Sequence, residues 1–434
     1  MLRYARQQAI EGWDQDKLKG ATLAIVGAGP TAFFAGLMAT AMGFGRLVLI
    51  GERVASPIGV LNPANQAPVH FWTKLFNTIS PETQIYPLER RADECLIGRL
   101  PALDGLIVCG NDLQTRDLGW KIAQDSCIPV VAGGTTAETG FWGSPCPDEV
   151  VARFQEHPES PLLSQIVAAL LVDEMRKALM SLPGEEGRSA RRNLLHFPYF
   201  ARSAAVRSPR LQQRPHIVLV GAGALGTWFG LGLGMGGLNA EMHIYDGDDV
   251  DETNLNRQVL FFGAVGRPKA PVLAERLQQL FPSLGLKAYG MQIGGDNAPQ
   301  LRDGSILVAC PDNFAARSLL NQFACRGRHA LLNGGTGAMG GSCMVYAPGY
   351  SACLSCRLHI ERLAQLEQEA HSCARQVASV VTSNAIIGAL LAWSVREMLA
   401  GRVTQSIWEY DGRARNQRLG LHSRRPACPC HLQN

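Results

Sequence analysis

A short strand, a glycine-rich turn and an apolar helix occur twice in the chain, and this repeat constrains the fold most. The first copy runs from the strand Thr22–Val26 into the turn Gly27–Ala32. The second runs from His216–Val220 into the turn Gly221–Gly226. An internal repeat of this length implies duplicated domains. The alternation of strands and helices predicts an α/β fold in which each sheet is mainly parallel and doubly wound.

The repeat predicts two tandem domains, residues 1–183 and 216–434, joined by a linker at 184–215 that is rich in Arg and Pro. The Arg residues of the linker favour a solvated segment over a nucleic-acid site. The net charge of +4, from 41 basic and 37 acidic residues, is also too small to predict nucleic-acid binding. With 46% apolar and 18% charged residues, the composition excludes a disordered chain.

Two uncharged stretches, Ala21–Gly45 and Ile217–Ala240, are long enough to cross a bilayer. Because each consists of a short β-rich run and a glycine-dense turn before its helix, we expect buried strand–turn–helix units and no membrane association. The charged first 20 residues do not resemble a secretory leader, so a cytoplasmic location is expected. The grouping of the 12 cysteines indicates metal binding or catalysis rather than a disulfide scaffold.

The second turn carries a nucleotide-binding pattern. Gly221, Gly223 and Gly226 form G-x-G-x-x-G between a strand and a helix. This spacing allows a tight turn, approach of a phosphate to the backbone, and close packing of the helix on the strand. Asp246 follows the next strand, where a carboxylate can accept the ribose hydroxyls. Alone, the pattern is compatible with a dinucleotide site and with a turn needed only for packing.

The first copy lacks this pattern. Ala32 replaces the third glycine, Pro30 stiffens the turn, and the second strand ends at Gly51-Glu52 without an aspartate. We therefore expect the first copy to be degenerate.

Further polar residues follow Asp246 in the second copy. Those that can approach a nucleotide are Asp248, Asn254, Arg257, Lys269 and Asp312. An Arg and a Lys beside one nucleotide suggest neutralisation of phosphate charge during group transfer. A carboxylate at the tip of a neighbouring strand, here Asp312, can hold Mg²⁺. Each residue taken alone also fits a cap, a turn or a solvated surface.

In their order and spacing, these motifs resemble the ubiquitin-activating enzyme superfamily and its bacterial relatives MoeB and ThiF. The matching segments are Gly221–Gly226, Asp246, Asn254–Gln258, Gly266–Lys269 and Asp312-Asn313. The resemblance implies two Rossmann-like, ThiF-type adenylation domains, of which the second is active. It implies ATP rather than NAD, with Asp246 on the ribose.

The resemblance also implies roles for the polar residues. Asn254, Arg257 and Lys269 would contact the phosphates, and Asp312 would coordinate Mg²⁺. The segment Arg3–Gln7 resembles the N-terminal signature of the family, whose arginine, here Arg6, reaches the ATP of the partner domain. The implied reaction is adenylation of the C-terminal glycine carboxylate of a ubiquitin-like protein, with release of pyrophosphate.

Two cysteine motifs predict a structural zinc site. Cys353 and Cys356 form C-x-x-C, and Cys428, Cys430 and His431 lie near the end of the sequence. Four soft ligands from two such knuckles suit Zn²⁺. The family usually has two C-x-x-C pairs at these places. Since the second pair here is spaced differently, the fourth ligand is either Cys430 or His431.

Cys373 precedes the predicted helix 381–398, where thioester-forming members of the family carry their cysteine. His371 and Arg375 can provide the positive environment that a thiolate nucleophile needs. The resemblance then implies a thioester on Cys373 and transfer to a conjugating enzyme. The alternative is an incidental cysteine, because MoeB-type members adenylate without a thioester.

A fused pair of this compact size is most similar to activating enzymes of the bacterial antiphage conjugation operons called Bil. The sequence is compatible with a self-contained pair and with a homodimer. Three rival functions stay open: an adenylating enzyme for a sulfur-carrier protein, an adenylase that modifies a short peptide, and an NAD oxidoreductase. A non-enzymatic scaffold is disfavoured, because one copy retains the complete polar set. The polar set gives no reason for an NAD oxidoreductase.

Overall fold

The chain forms two compact units in the computed structural model. The structure describes residues 2–52, 67–90, 96, 100–137, 139–143, 157–185, 193–195, 206–207, 214–294, 297–369, 378–403, 406–414, 416–421 and 428. The first unit contains Met1–Pro198, Leu255–Phe262 and Ala378–Ile386. The second contains Tyr199–Asn254, Gly263–Val377 and Ile387–Asn434. Each unit therefore includes segments that are distant in sequence.

The first unit is built on a sheet with the strand order β3-β2-β1-β4-β5-β6-β7. The strands are β1 (Thr22–Val26), β2 (Arg46–Ile50), β3 (Gln84–Leu88), β4 (Gly105–Cys109), β5 (Val130–Thr135), β6 (Gly140–Gly143) and β7 (Asn193–Leu195). The first five pair in parallel, and β6 and β7 are antiparallel additions. Every residue of β1 and β4 is buried, as expected for central strands that are covered on both faces.

The helices of the first unit are α1 (Ala5–Gln8), α2 (Gln15–Gly20), α3 (Pro30–Met42), α4 (Pro68–Ile79), α5 (Leu113–Ser126) and α6 (Pro161–Leu179). All residues of α3 are buried, because its sequence is apolar on every side. Gly43 ends this helix in the left-handed conformation, with φ of +91°.

The second unit is built on an eight-stranded sheet with the order β11-β10-β9-β12-β13-β14-β16-β17. Its strands are β9 (His216–Val220), β10 (Glu241–Tyr245), β11 (Gly285–Tyr289), β12 (Ile306–Ala309), β13 (Ala330–Thr336), β14 (Gly340–Tyr346), β16 (Ser406–Asp411) and β17 (Asn416–Leu421). Again the first five are parallel and the rest antiparallel. The predicted α/β class is confirmed, with two mixed sheets.

The helices of the second unit are α7 (Ala224–Met235), α8 (Lys269–Leu280), α9 (Phe314–Gly327), α10 (Leu354–Leu358), α11 (Ile360–Glu369) and α12 (Val381–Leu399), the last beginning in a segment of the first unit. Both uncharged stretches of the sequence fold as strand, turn and helix, as predicted. Among the helices in the described part of the chain, none combines the length and apolarity that a bilayer crossing needs.

The segment predicted as a linker contributes strands. Within 184–215, β7 extends the first sheet, and β8 (Val206–Arg207) pairs with β15 (Arg402–Val403). These strands could not be predicted from the sequence, because a strand of two or three residues is too short for an alternating pattern.

Candidate active site

The glycine-rich turn of the second unit lies where the strand order reverses. β9 pairs with β10 on one side and with β12 on the other, so the carboxyl ends of all three lie at one edge. In open α/β sheets this edge is the usual ligand-binding position. Gly221 has φ of +96°, and a Cβ there would lie 2.5 Å from the carbonyl oxygen of Cys310. A Cβ on Gly226 would lie 2.1 Å from the carbonyl oxygen of Gly221, so α7 can approach the turn only with glycine at that position.

Asp246 lies directly against this turn. Its Oδ2 accepts the backbone N–H of Ala222 at 2.7 Å, and its Oδ1 accepts that of Asp248 at 2.9 Å. Burial raises the pKa of the Asp246 carboxyl, while these hydrogen bonds and the charge of Lys269 oppose the rise. The carboxylate is thus fixed beside the turn, and its remaining lone pairs can accept hydroxyl donors.

Lys269 and Asp248 form an ion pair at the same edge. The Lys269 Nζ lies 2.8 Å from the Asp248 Oδ2, and its backbone N–H donates to the Asp248 carbonyl at 2.9 Å. The lysine side chain is only 11% exposed, whereas the aspartate side chain is 52% exposed. The buried ammonium is therefore paired with an exposed carboxylate at the surface of the second unit.

Asn254 is buried in the 3₁₀ turn Glu252–Asn254. Its Oδ1 accepts the backbone N–H of Asp251 at 3.0 Å, and its own N–H donates to the Asp251 carbonyl at 2.9 Å. These bonds order the loop between β10 and α8.

Asp312 is exposed just beyond the end of β12, on the segment that leads into α9. Asn313 caps α9, because its Oδ1 accepts the N–H of Ala316 at 2.8 Å. Glu367 accepts the N–H of Phe314 at 2.6 Å. Two acidic side chains and a helix N-terminus thus lie close together at this edge.

Arg317 was missed by the sequence analysis. Its guanidinium donates to the carbonyls of Pro311 and Gly334 at 2.5 and 2.6 Å and to the Oδ1 of Asn333 at 2.5 Å. It therefore ties the loop that carries Asp312 to β13. Burial lowers the pKa of Arg317, although nearby Cys310 and Asp312 oppose that shift. The only sequence signal was its position one helical turn after Asn313.

Arg6 and Arg257 belong to the first unit. Their chain neighbours are hydrogen-bonded there, since Asn256 donates to the side chain of Gln7 at 3.1 Å and both are fully buried. The carbonyl of Arg6 accepts the N–H of Ser379 at 3.1 Å. The structure thus brings the N-terminal segment and the segment of Arg257 together within one unit. The other predicted nucleotide-binding residues lie in the second unit: Gly221, Gly223, Gly226, Asp246, Asp248, Asn254, Lys269 and Asp312.

Cys373 lies outside the described residues, as do His371, Arg375, Cys430 and His431. Two other cysteines of the second unit are poor nucleophiles, because burial raises the pKa of Cys310 and of Cys343 to about 12.

Cys353, Cys356 and Cys428 form a compact cluster whose sulfur atoms all lie within 4.8 Å of one another. The sulfurs of Cys353 and Cys428 are 3.4 Å apart, and neither forms a disulfide. Tetrahedral ligands at about 2.3 Å from Zn²⁺ would be somewhat under 4 Å apart. The three thiols are therefore close enough together to share one soft-metal ion.

Comparison with known proteins agrees with this geometry. The ThiF family model matches residues 191–430, which is more than half of the chain. The sulfur carrier protein ThiS adenylyltransferase of Escherichia coli strain K12 is 28% identical over 221 residues, covering 49% of this chain and 84% of that protein.

Two further relatives are matched over shorter segments. The sulfur carrier protein adenylyltransferase of Thermus thermophilus is 37% identical over 117 residues, covering 26% of this chain and 42% of that protein. The NEDD8-activating enzyme E1 catalytic subunit of Caenorhabditis elegans is 30% identical over 162 residues, covering 34% of this chain and 37% of that protein. The chain thus spans less than half the length of these two relatives.

Among solved structures, Escherichia coli MccB is similar with a TM-score of 0.43 and 21% identity, covering 50% of this chain and 65% of that one. The family match is the broader finding, because it includes every strand of the eight-stranded sheet. On that match, the chain belongs to the ThiF family.

Proposed function

We propose that the protein uses ATP to adenylate the C-terminal carboxylate of a small carrier protein of the ubiquitin-like or sulfur-carrier type. The family match across 191–430, which contains the whole carboxyl edge of the second sheet, carries the proposal. The relatives of the chain include enzymes named for sulfur carriers and for NEDD8. The buried Asp246 on the turn and the buried Lys269 beside it supply a ribose acceptor and a phosphate partner.

In the proposed first step, an oxygen of the carrier carboxylate attacks the α-phosphorus of ATP. The bond from that phosphorus to the bridging oxygen of the β-phosphate breaks, so pyrophosphate leaves and an acyl-adenylate forms. Lys269 would release Asp248 and contact the phosphates, with Asn254 ordering the loop. Positive charge beside the phosphates would stabilise a phosphorane-like transition state, and this is the role that the family resemblance implies for Arg257 and Arg6.

Asp312 and the nearby Glu367 carboxylate suit Mg²⁺, which prefers oxygen ligands and would neutralise phosphate charge when bound. Arg317 would hold the Asp312 loop at a fixed distance from β13. The strand ends at Gly334–Gly341 would form a wall for the extended tail of the carrier.

We propose a second step for Cys373. Its thiolate would attack the acyl carbonyl, AMP would leave, and the carrier would be held as a thioester before transfer to a conjugating enzyme. A fused, compact activating enzyme of this type would fit the Bil antiphage operons. The rival function is adenylation of a sulfur carrier, which needs no enzyme thioester and is favoured by the names of the first two relatives.

We also propose that Zn²⁺ binds Cys353, Cys356 and Cys428, with Cys430 or His431 as the fourth ligand. The ion would cross-link the segment after β14 to the end of the sequence and take no part in the chemistry.

ATP–pyrophosphate exchange with a carrier ending in Gly tests the first step. Asp312→Ala should abolish exchange. Asp303→Ala is the matched control, because Asp303 is an exposed carboxylate near the opposite end of the same strand, β12. Loss of exchange in both variants, or in neither, would contradict the role of Asp312. Absence of exchange in the wild type with every carrier would refute the proposed function.

Intact-mass analysis of a carrier adduct tests the second step. The thioester function predicts that Cys373→Ala keeps exchange but loses a thiol-sensitive adduct. Exchange without an adduct in the wild type would favour the sulfur-carrier function.

A further inference from the structure

The glycine-rich turn of the first unit leads into the N-terminus of α3, where backbone N–H groups have no partner within the helix. Gly29 is the cap of this helix, and Pro30 occupies its first turn. Because Pro30 has no N–H, Thr31 is the first helical residue that can donate to an anion. Thr31 is completely buried and offers a hydroxyl as well.

The carboxylate of Glu159 is seated on this turn. Its Oε1 accepts a hydrogen bond from the Thr31 hydroxyl, and the carboxylate also accepts the Thr31 backbone N–H. Its Oε2 lies over Gly29, where a Cβ would be only 2.0 Å from that oxygen. The carboxylate thus makes the contacts that a phosphate oxygen makes at a helix N-terminus.

A chain of buried hydroxyls fixes Glu159 in this position. The Thr31 Oγ1 lies 3.0 Å from the Ser164 Oγ, which lies 3.0 Å from the Thr135 Oγ1. Thr135 in turn accepts the N–H of Ser160, the cap residue of α6, at 3.0 Å. Glu159 directly precedes this cap, so the start of α6 delivers its carboxylate to the start of α3.

The surroundings of Glu159 are poorly solvated. Burial raises the pKa of its carboxyl to about 7, and the hydrogen bonds from Thr31 only partly oppose that rise. Burial raises the pKa of the neighbouring Cys109 thiol, and the Glu159 carboxylate adds to that rise. Above pH 7 the group is mostly an anion, held by donors at the helix terminus.

We propose that Glu159 is an internal ligand that occupies the anion position of the first turn, and that removing its side chain exposes a binding site for inorganic phosphate. The first copy of the repeat would then have kept its anion-binding backbone and be closed by its own chain. This inference concerns the first unit alone and does not depend on the proposed enzymatic function.

The test compares the full-length wild type, Glu159→Ala and Glu159→Gln by thermal unfolding at pH 8. Sodium phosphate is the probe, and sodium chloride of equal ionic strength is the reference. Glutamine keeps the shape of the side chain, so Glu159→Gln is the matched control for a filled site. At a phosphate concentration ten times the dissociation constant, Glu159→Ala should gain about 3 °C more than either other protein.

Any phosphate bound in the second unit contributes equally to all three proteins and cancels in the comparison. An equal phosphate response of Glu159→Ala and Glu159→Gln would overturn the proposal. If Glu159→Ala fails to fold, Glu159→Ser frees nearly the same space and must meet the same criterion. Because no nucleotide is used, failure here leaves the adenylation proposal untouched, and failed pyrophosphate exchange leaves this inference untouched.

Discussion

Replacing Gly226 by alanine should damage the second turn far more than the same change at Gly230, which lies one helical turn further along α7. A Cβ on Gly226 would lie 2.1 Å from the carbonyl oxygen of Gly221, which is backbone and cannot rotate away. To relax this separation even to a tight contact, the helix and the turn must move apart by about 1 Å, and the region is close-packed. A Cβ on Gly230 would lie 2.5 Å from the Cδ1 of Leu277, the flexible end of a side chain.

Overpacking costs about 1–3 kcal/mol, and alanine recovers up to about 1 kcal/mol over glycine within a helix. Because the obstacle at Gly226 is backbone, its overpacking cost should lie at the upper end of this range, and Gly226→Ala should lose about 2 kcal/mol of unfolding free energy in total. Because the Leu277 side chain can move, the unfolding free energy of the Gly230→Ala control should hardly change. The two variants should therefore differ by about 4–8 °C in melting temperature.

Thermal unfolding followed by circular dichroism measures this difference, and ATP–pyrophosphate exchange measures its consequence. Gly226→Ala should lose most of its exchange because the turn and Asp246 move apart, whereas Gly230→Ala should keep it. Equal melting temperatures and equal exchange in the two alanine variants would refute the reasoning.

Three further predictions follow from the same geometry. Glu159→Gln should gain stability relative to the wild type, by at most about 3 kcal/mol, as pH rises from 4.5 to about 7. The raised pKa gives the wild type a stabilising contribution that is present below pH 4.5 and is lost as pH rises through 7. If the urea midpoints of the wild type and Glu159→Gln differ by the same amount at pH 5 and at pH 8, this prediction is contradicted. Arg317→Lys should lower pyrophosphate exchange at least about tenfold, because lysine cannot bridge Pro311, Asn333 and Gly334, while Arg326→Lys, on the exposed side of α9, should not. Cys353→Ser should remove about one equivalent of zinc by elemental analysis and lower the melting temperature, and retention of zinc at the Cys127→Ser control level would exclude this ligand.

The sequence predicted several strands accurately because each is a short β-rich run that lies next to a turn or a helix in the repeated plan. Arg46–Ile50 and Glu241–Tyr245 are strands that begin and end at the predicted residues. The sequence could not predict that Leu255–Phe262 belongs to the first unit, since this segment is short and its packing partners are far away in sequence. The fold class therefore followed from local pattern, whereas the composition of each unit required tertiary contacts.

In the candidate site, too, some residues could be predicted from local sequence and others only from tertiary contacts. Asp246 and Lys269 could be named from their spacing, because a strand end and a helix start place them at one edge. Arg317 could not, because its partners are two carbonyls and an amide brought together only when β12 and β13 pair. Glu159 was missed because nothing in its local sequence links it to a turn more than 120 residues earlier.

The two turns also show which motif positions report on nucleotide binding. A Cβ on Gly27 or on Gly221 would lie 2.5 Å from the carbonyl oxygen of the residue at the end of the neighbouring strand. The first glycine is therefore required by packing in both copies and says nothing about a ligand. The informative position follows the next strand, where the first unit has Gly51 and the second has Asp246.

A Cβ on Gly51 would lie 2.7 Å from the carbonyl oxygen of Gly27, so no carboxylate can stand there unless the turn moves. In the second unit the same position holds Asp246 with its carboxylate bonded to the turn at 2.7 Å. The first unit thus has two separate obstacles to nucleotide binding: it lacks a ribose acceptor, and Glu159 occupies the anion position. Restoring nucleotide binding to the first unit would require both to be reversed, and removing Glu159 alone should admit phosphate but not ATP.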